Sequence, residues 1–205
     1  MIKVSKLSKK FGQREIFNNF SFTIEEGEFV AITGESGSGK TTLLNLISLL
    51  DQKYKGRIEI DGKATFSRKE IQTMQRYKFA YLFQNYALVE NETVRQNLQI
   101  ALKYRKDADP NNSIKKALKI VGMEGAENCK IYELSGGEQQ RVALARVYLK
   151  KPKYVFADEP TGNLDKHNRD IVFGLLRKMN EFGATIIFVT HDIELSQSVG
   201  RIIAV

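Results

Sequence analysis

The sequence lacks several features that would assign it to particular classes of protein. Its 205 residues contain a single cysteine, Cys129, which excludes an internal disulfide and disfavours a cysteine-based metal site. No uninterrupted apolar run reaches the roughly 18 residues that a membrane-spanning helix needs. The amino terminus has no apolar signal-peptide core, so we expect a cytosolic chain.

Repeats, low-complexity segments and long blocks of one charge are also missing, as in an ordinary globular chain. With 42% hydrophobic and 27% charged residues in a chain of this length, we expect one domain that spans residues 1–205. The formal net charge of +8 suits a nucleic acid, an anionic membrane surface or simply a solvated face. Because the lysines are scattered, the charge does not choose among these three.

Hydrophobic periodicity changes along the chain from the pattern of strands to that of helices. The predicted strands are residues 2–7, 21–24, 28–33, 57–60, 79–83, 154–157 and 185–189. The predicted helices are residues 40–50, 93–104, 113–121, 137–149 and 168–180. We therefore predict an α/β core with a parallel sheet, an antiparallel β subdomain at the amino end and an inserted α-helical subdomain near residues 88–148.

A glycine-rich segment follows an apolar strand and opens the helix from Lys40. It fits G-x-x-x-x-G-K-[ST] at every fixed position, and its flanks are those of a P-loop NTPase core. Backbone N–H groups would hold phosphates, Lys40 would reach the β- and γ-phosphates, and Thr41 would ligate Mg²⁺. This segment alone does not separate ATP from GTP. The residues assigned to the nucleotide are Gly34, Glu35, Ser36, Gly37, Ser38, Gly39, Lys40, Thr41 and Thr42.

Two carboxylates, Asp158 and Glu159, end the apolar strand 154–157. The carboxyl ends of buried parallel strands are where α/β folds bind their ligands. We predict that Asp158 helps to hold Mg²⁺ and that Glu159 polarises the attacking water as the catalytic carboxylate. Taken alone, an Asp-Glu pair is more often a solvated turn, and the phosphate loop is what favours the catalytic interpretation.

The segment 134–140, LSGGEQQ, precedes a helix and predicts a second anion site. Ser135 and Glu138 form an S-x-x-E capping box, so the segment is also a plausible helix start with no further role. Both interpretations are compatible, because a helix amino end with exposed N–H groups attracts anions. We assign Ser135, Gly136 and Gly137 to nucleotide binding.

The chain resembles the nucleotide-binding domain of ABC transporters over essentially its whole length, and LSGGEQQ matches the signature of that family. The resemblance implies that Phe11 stacks on adenine and that Gln84 binds the nucleotide and the Mg²⁺ shell. It also implies that Asp165, in the D-loop at residues 163–165, contacts the nucleotide and that His191 is catalytic. Taken singly, these residues would more often be a core aromatic, a surface amide, a helix cap and a strand-end histidine. Their order around the two stronger motifs favours the functional interpretation.

Two domains of this family pair head to tail, and each signature closes on the ATP held by the other. The resemblance therefore implies ATP and Mg²⁺ as cofactors and an ATP-dependent homodimer, or a pair with a similar subunit. It implies an integral-membrane permease as partner, with no nucleic acid expected. The loop 85–89 is expected to expose Tyr86 and Leu88 for docking to the permease, unless both tuck into the helical subdomain.

Residues 158–165 resemble the branch that includes lipoprotein-release, macrolide-export and antimicrobial-peptide transporters. This likeness implies a cytoplasmic ATPase, peripheral on the inner face of the membrane, that energises export or extraction of a peptide, lipoprotein or drug-like cargo. A soluble ABC ATPase acting on nucleic acid or ribosomes is the alternative, although such proteins usually carry two domains or a coiled-coil insertion. A binding module without hydrolysis would need a damaged Lys40, Glu159 or His191, and all three are present.

Overall fold

Strands and helices alternate along the part of the chain that the computed structural model describes, residues 1–105, 109–162 and 164–205. The D-loop residue Asn163 therefore lies outside the described residues. The strands are β1 (Ile2–Phe11), β2 (Arg14–Ile24), β3 (Phe29–Thr33), β4 (Lys55–Ile60), β5 (Phe79–Leu82), β6 (Tyr154–Asp158), β7 (Thr185–Val189) and β8 (Arg201–Ala204). The helices are α1 (Lys40–Ile47), α2 (Arg68–Tyr77), α3 (Val94–Leu102), α4 (Pro110–Ile120), α5 (Gly136–Lys150), α6 (Lys166–Glu181) and α7 (Ile193–Gln197).

The strands form two sheets of different kinds. Five of them make a parallel sheet in the order β5-β6-β7-β3-β8, and three make an antiparallel sheet in the order β2-β1-β4. Parallel neighbours need crossover connections, and the helices between these strands supply them. The predicted α/β fold, with its parallel sheet, amino-terminal antiparallel sheet and inserted helices, is confirmed.

Alternate residues of the parallel sheet enter two different hydrophobic clusters. In β6, Val155 and Ala157 pack with the helical insertion and α6, whereas Tyr154 and Phe156 pack with α1 and the antiparallel sheet. A strand buried on both faces has no solvent side, so its sequence is an apolar run without alternation. The two clusters fix the parallel sheet from both faces, and the carboxyl ends of its strands lie at one edge, where the phosphate loop begins.

Several elements differ from the sequence prediction. Helix α2 was not predicted, since it buries only Ile71 and Met74 and its apolar residues are therefore few. Strand β2 begins at Arg14, seven residues before the predicted strand 21–24, because polar residues face solvent along its first half. Helix α1 also stops at Ile47, short of residue 50, where the left-handed conformation of Leu49 (φ 60°) ends the helical path. No described helix has the length and apolarity needed to cross a bilayer.

Candidate active site

The phosphate loop joins β3 to α1 at the carboxyl edge of the parallel sheet. Lys40, the first residue of α1, is only 5% exposed. Its Nζ donates hydrogen bonds to the carbonyl oxygens of Gly34 (3.1 Å) and Glu35 (2.8 Å), so the lysine folds back across its own loop. The positive charge therefore lies inside the turn, where the phosphates of a nucleotide would lie.

Two positions of the loop must be glycine, because a Cβ there would come too close to other atoms of the chain. A Cβ on Gly34 would lie 2.2 Å from the carbonyl oxygen of Val205, and one on Gly39 would lie 2.4 Å from Cγ2 of Ile16. Gly39 also has a φ of 106°, which L-residues with side chains rarely adopt. These contacts leave the backbone itself as the lining of the loop, which suits close approach by an anion.

A cleft of about 340 Å³ opens in front of this loop. Ser38 adds a further indication of a ligand, because its hydroxyl oxygen is buried without a hydrogen-bond partner among the described residues. The loop therefore fits a phosphate chain in both shape and hydrogen-bonding capacity. The predicted residues that line the cleft are Phe11, Ser36, Gly37, Gly39, Lys40, Thr41, Thr42, Glu159 and His191.

Oxygen ligands suited to Mg²⁺ meet beside Lys40. The hydroxyl of Thr41 donates to Oδ1 of Asp158 at 3.0 Å, which joins the start of α1 to the end of β6. Burial raises the pKa of the Asp158 carboxyl above its ordinary value, and the nearby charge of Glu159 raises it further. A bound cation would relieve both effects, and hard oxygen ligands are the kind that Mg²⁺ takes. These two residues fit the predicted metal site.

Glu159 and His191 are brought together by the pairing of β6 with β7. The register matches Asp158 with Val189, and the backbone N–H of Glu159 donates to the carbonyl oxygen of Val189 at 3.1 Å. Nε2 of His191 then lies 2.9 Å from Oε1 of Glu159. Glu159 has a φ of 47°, a sparsely populated conformation for a residue with a side chain, of the kind that often marks functional sites.

Phe11 lies at the opposite wall of the cleft, at the end of β1, with 54% of its surface exposed. An exposed aromatic ring beside a phosphate loop can stack on a base. Arg14 and Ile16 also line the cleft, and sequence reasoning missed both. Arg14 donates through Nη2 to the carbonyl oxygen of Gly37 at 2.8 Å. Their period-2 spacing after the turn at Gly12 is the signal that could have found them.

The signature segment lies away from this cleft, on a surface that it shares with Asp165. Ser135 caps α5 and forms the predicted capping box with Glu138, which is confirmed. Gly136 is exposed, and a Cβ on Gly137 would meet Nδ2 of Asn168 at 3.0 Å. Asn168 in turn donates to Asp165, the N-cap of α6, at 2.7 Å. The backbone N–H of Asn168 also donates to Asp165, and together the two hydrogen bonds lower the pKa of Asp165.

Gln84 and the loop behind it follow β5. Gln84 is exposed and is not among the residues that line the cleft. The expected exposure of Tyr86 and Leu88 is wrong, because both are half-buried and pack against the core of the helical insertion. The loop folds inward because Arg146 of α5 donates to the carbonyl oxygens of Ala87 (2.6 Å) and Tyr86 (2.8 Å). The large apolar side chain that this loop exposes is Val89, at 47%.

Known proteins are similar to this chain in sequence. A family model described as ABC transporter matches residues 17–162. The chain is 38% identical over 213 residues to the macrolide export ATP-binding/permease protein MacB of Mannheimia succiniciproducens, over 100% of this chain and 33% of that protein. It is 40% identical over 211 residues to an ABC transporter ATP-binding protein of Methanocaldococcus jannaschii, over 99% of this chain and 94% of that protein. The chain thus spans about a third of MacB.

Solved structures give the same family. A dimer of the ATP-binding cassette MJ0796 in a post-hydrolysis state, bound to ADP and Pi, matches with a TM-score of 0.90 and 36% identity over 100% of this chain and 94% of that chain. A second dimeric MJ0796 structure, described as a bacterial ABC transporter cassette, matches with the same TM-score of 0.90 and 37% identity. The chain belongs to the ABC transporter family, as one of its ATP-hydrolysing cassettes in the branch that includes macrolide exporters.

Proposed function

We propose that the chain, as a single ABC-type domain over residues 1–205, energises a membrane transporter that exports or extracts a peptide, lipoprotein or drug-like cargo. It would work in the cytoplasm, peripheral on the inner face of the membrane, with ATP and Mg²⁺. The observation that carries the proposal is the intact set of Lys40, Thr41, Asp158, Glu159 and His191 around one cleft. The likeness to MacB, named as an ATP-binding/permease protein, supports the membrane partner.

Within the cleft, the loop N–H groups and Lys40 would bind the phosphates and offset their charge. Bound Mg²⁺, held by Thr41 and Asp158 together with phosphate oxygens, would stabilise charge that develops on the transferred phosphoryl group. Glu159 would orient and polarise the attacking water. His191, 2.9 Å from Glu159, lies where its ring can both position that carboxylate and face the terminal phosphate. Phe11 would stack on the adenine.

The site is completed by a second subunit in this proposal. Ser135, Gly136 and Gly137 are absent from the lining of the cleft formed by the described residues of their own chain. They stand at the amino end of α5, a helix terminus that favours anions. A head-to-tail pair, either two copies or one copy with a similar subunit, would set each signature against the other's ATP. The dimeric state of the MJ0796 cassettes supports this pairing.

The membrane subunit would dock beside the loop that follows Gln84. A groove of about 390 Å³ lies there between α2, β5, α3 and α5, and we refer to it as the docking groove. Arg146 both lines this groove and holds the carbonyls of Tyr86 and Ala87. The Oη atom of Tyr86 lies 3.6 Å from the position of a Cβ on Gly136. A partner in the groove would therefore lie against Arg146, which holds the loop whose Tyr86 approaches the signature.

Reconstitution with a candidate permease, encoded beside the chain, tests the proposal. ATPase activity per subunit should rise with protein concentration, and the permease in proteoliposomes should stimulate it further. A rate independent of concentration from a proven monomer would contradict the shared site. Binding to nucleic acid that weakens steeply with salt, with no effect of the permease, would favour the soluble ABC ATPase instead.

A further inference from the structure

Lys9 is a buried cation beside the aromatic ring that is assigned to the base. It lies near the end of β1 with only 5% of its surface exposed, and lysine is almost never buried without a partner. Its Nζ donates to Oδ2 of Asp51 at 2.6 Å and to the carbonyl oxygen of Lys53 at 2.6 Å. The same Nζ lies 4.8 Å from the centroid of the Phe11 ring. The ammonium thus contacts the aromatic wall of the cleft on one side and is held on the other by the chain that follows α1.

The geometry of β1 explains why Lys9 reaches this ring. Lys9 and Phe11 are two positions apart on the strand, and a strand sets such side chains on the same face. Lys10, which lies between them, is exposed and forms an ion pair with Glu15 at 2.8 Å. The pairing of β1 with β2 is irregular on both sides of Lys9, and bulges of this kind re-aim side chains. Lys9 rather than Lys10 is therefore the cation that contacts Phe11.

Asp51 ties this cation to the helix that carries the phosphate loop. Its backbone N–H donates to the carbonyl oxygen of Asn45 in α1 at 3.0 Å, and its Oδ1 accepts from the backbone N–H of Lys53 at 2.8 Å. Burial acts to raise the pKa of Asp51, but hydrogen bonds from Lys9 and Lys53 outweigh it and hold the pKa below its ordinary value. The carboxylate is therefore charged at neutral pH. A chain of direct contacts runs from Phe11 through Lys9 and Asp51 to α1, the helix that begins at the phosphate loop.

We propose that Lys9 is a positioning residue for nucleotide binding, whose ammonium holds the Phe11 ring in the orientation that stacks on the base and at a fixed distance from the phosphate loop. This inference rests on the proposed function, in which Phe11 stacks on adenine. A cation over one face of an aromatic ring is attracted to that face, and the other face remains for the base. Because the ring is held before the nucleotide arrives, it loses little conformational freedom on binding, and more of the stacking energy is realised as affinity.

The test compares the binding of ATP with that of inorganic triphosphate, which has no base, in calorimetric titrations. Lys9→Met removes the charge but keeps a long side chain, and it should weaken ATP binding about two- to fivefold. The affinity for inorganic triphosphate should not change. In steady-state hydrolysis, KM for ATP should rise by the same factor while kcat stays at the wild-type value. Lys10→Met, the same substitution at the adjacent exposed position, is the matched control and should bind both ligands as the wild type does.

A double-mutant cycle separates positioning of the ring from a purely structural role. In a Phe11→Ala background, Lys9→Met should have no further effect on ATP affinity, because the ring on which it acts is absent. Asp51→Asn leaves Lys9 in place but removes the charge that anchors it, and this second variant should also weaken ATP binding and not triphosphate binding.

Three results would overturn the inference. Equal losses of ATP and triphosphate affinity in Lys9→Met, or a loss that persists in full in the Phe11→Ala background, would show that Lys9 only ties β1 to the chain after α1. Wild-type ATP affinity in Lys9→Met, with weak binding in Phe11→Ala, would show that the ring needs no support from this cation. Wild-type ATP affinity in Phe11→Ala itself would instead refute the stacking assigned to Phe11 in the proposed function, and the inference with it.

Discussion

The nucleotide cleft and the signature surface both present a helix amino end, yet they differ in what surrounds it. At the start of α1, a buried lysine and a hydroxyl of that helix meet two carboxylates at the end of β6 and a histidine that follows β7. At the start of α5, Ser135 and Glu138 satisfy each other in a capping box, and Gly136 is exposed. The first helix end is enclosed by its own chain, and the second is open.

This difference separates the residues that bind the nucleotide within one chain from the residues that would complete the site of a second subunit. The cleft has the groups needed to hold a nucleotide within one chain, since the loop, Lys40 and Phe11 all line it. The signature segment offers backbone donors at the start of α5, and Glu138, the charged residue within residues 134–140, is engaged in the capping box. Variants of the cleft should therefore alter affinity or chemistry in the monomer, whereas variants of the signature should act only when two subunits meet.

The largest effect is expected for Glu159→Gln, which keeps the shape of the side chain but removes the charge that polarises water. Hydrolysis should fall by about 10²- to 10⁴-fold, the usual scale for loss of a general base. ATP should still bind, so size-exclusion chromatography should show a dimer with ATP and a monomer with ADP. Glu181→Gln, at an exposed position of α6, is the control. Hydrolysis at the wild-type rate would show that Glu159 is not the catalytic carboxylate.

The substitution Lys40→Ala should weaken the binding of ATP to the cleft. Removing the buried ammonium leaves the phosphate charge without its nearest compensation, a loss of roughly 30- to 5000-fold in affinity by the scale of buried charge pairs. Isothermal titration calorimetry with ATP measures this directly. Lys69→Ala, an exposed lysine of α2, should bind as the wild type does. Unchanged affinity in Lys40→Ala would refute the assignment of the phosphate loop.

The substitution Gly136→Asp tests the signature surface instead of the nucleotide cleft. A carboxylate at the start of α5 suits the helix dipole, and a Cβ there meets nothing closer than 3.6 Å, so the fold should tolerate it. The new charge should repel the triphosphate held by a partner subunit and lower hydrolysis on the order of tenfold or more. ATP affinity of the monomer should not change. Gly136→Ala controls for size, and equal hydrolysis in Gly136→Asp and the wild type would contradict head-to-tail pairing.

The smallest of these four effects is expected at Phe11. Stacking on a base contributes about 1–3 kcal/mol, so Phe11→Ala should weaken ATP binding roughly tenfold. Phe11→Tyr keeps the ring and should bind nearly as well as the wild type. Stacking tolerates different bases, so GTP affinity should fall in parallel in calorimetric titrations. If ATP affinity does not change in Phe11→Ala, the ring has no part in nucleotide binding.

The fold could be predicted where the pattern of apolar residues is strong, as in β3, β6 and β7, which are buried on both faces. Helix α2 escaped prediction because only two of its residues are buried, although Ser67 and Glu70 carry the same capping box that marked α5. Tyr86 and Leu88 were misplaced for a different reason. A loop of polar and apolar residues does not reveal that Arg146, some sixty positions later, folds it inward.

The sequence by itself determined the phosphate loop, the strand that precedes it and the capped start of α5, because each depends on residues within one short segment. Tertiary structure alone decided which of the assigned residues meet. The parallel register of β6 and β7 brings Glu159 to His191, and the packing of α1 against the sheet brings Thr41 to Asp158. It also decided that the signature faces outward, since distances between segments depend on how layers pack rather than on local spacing.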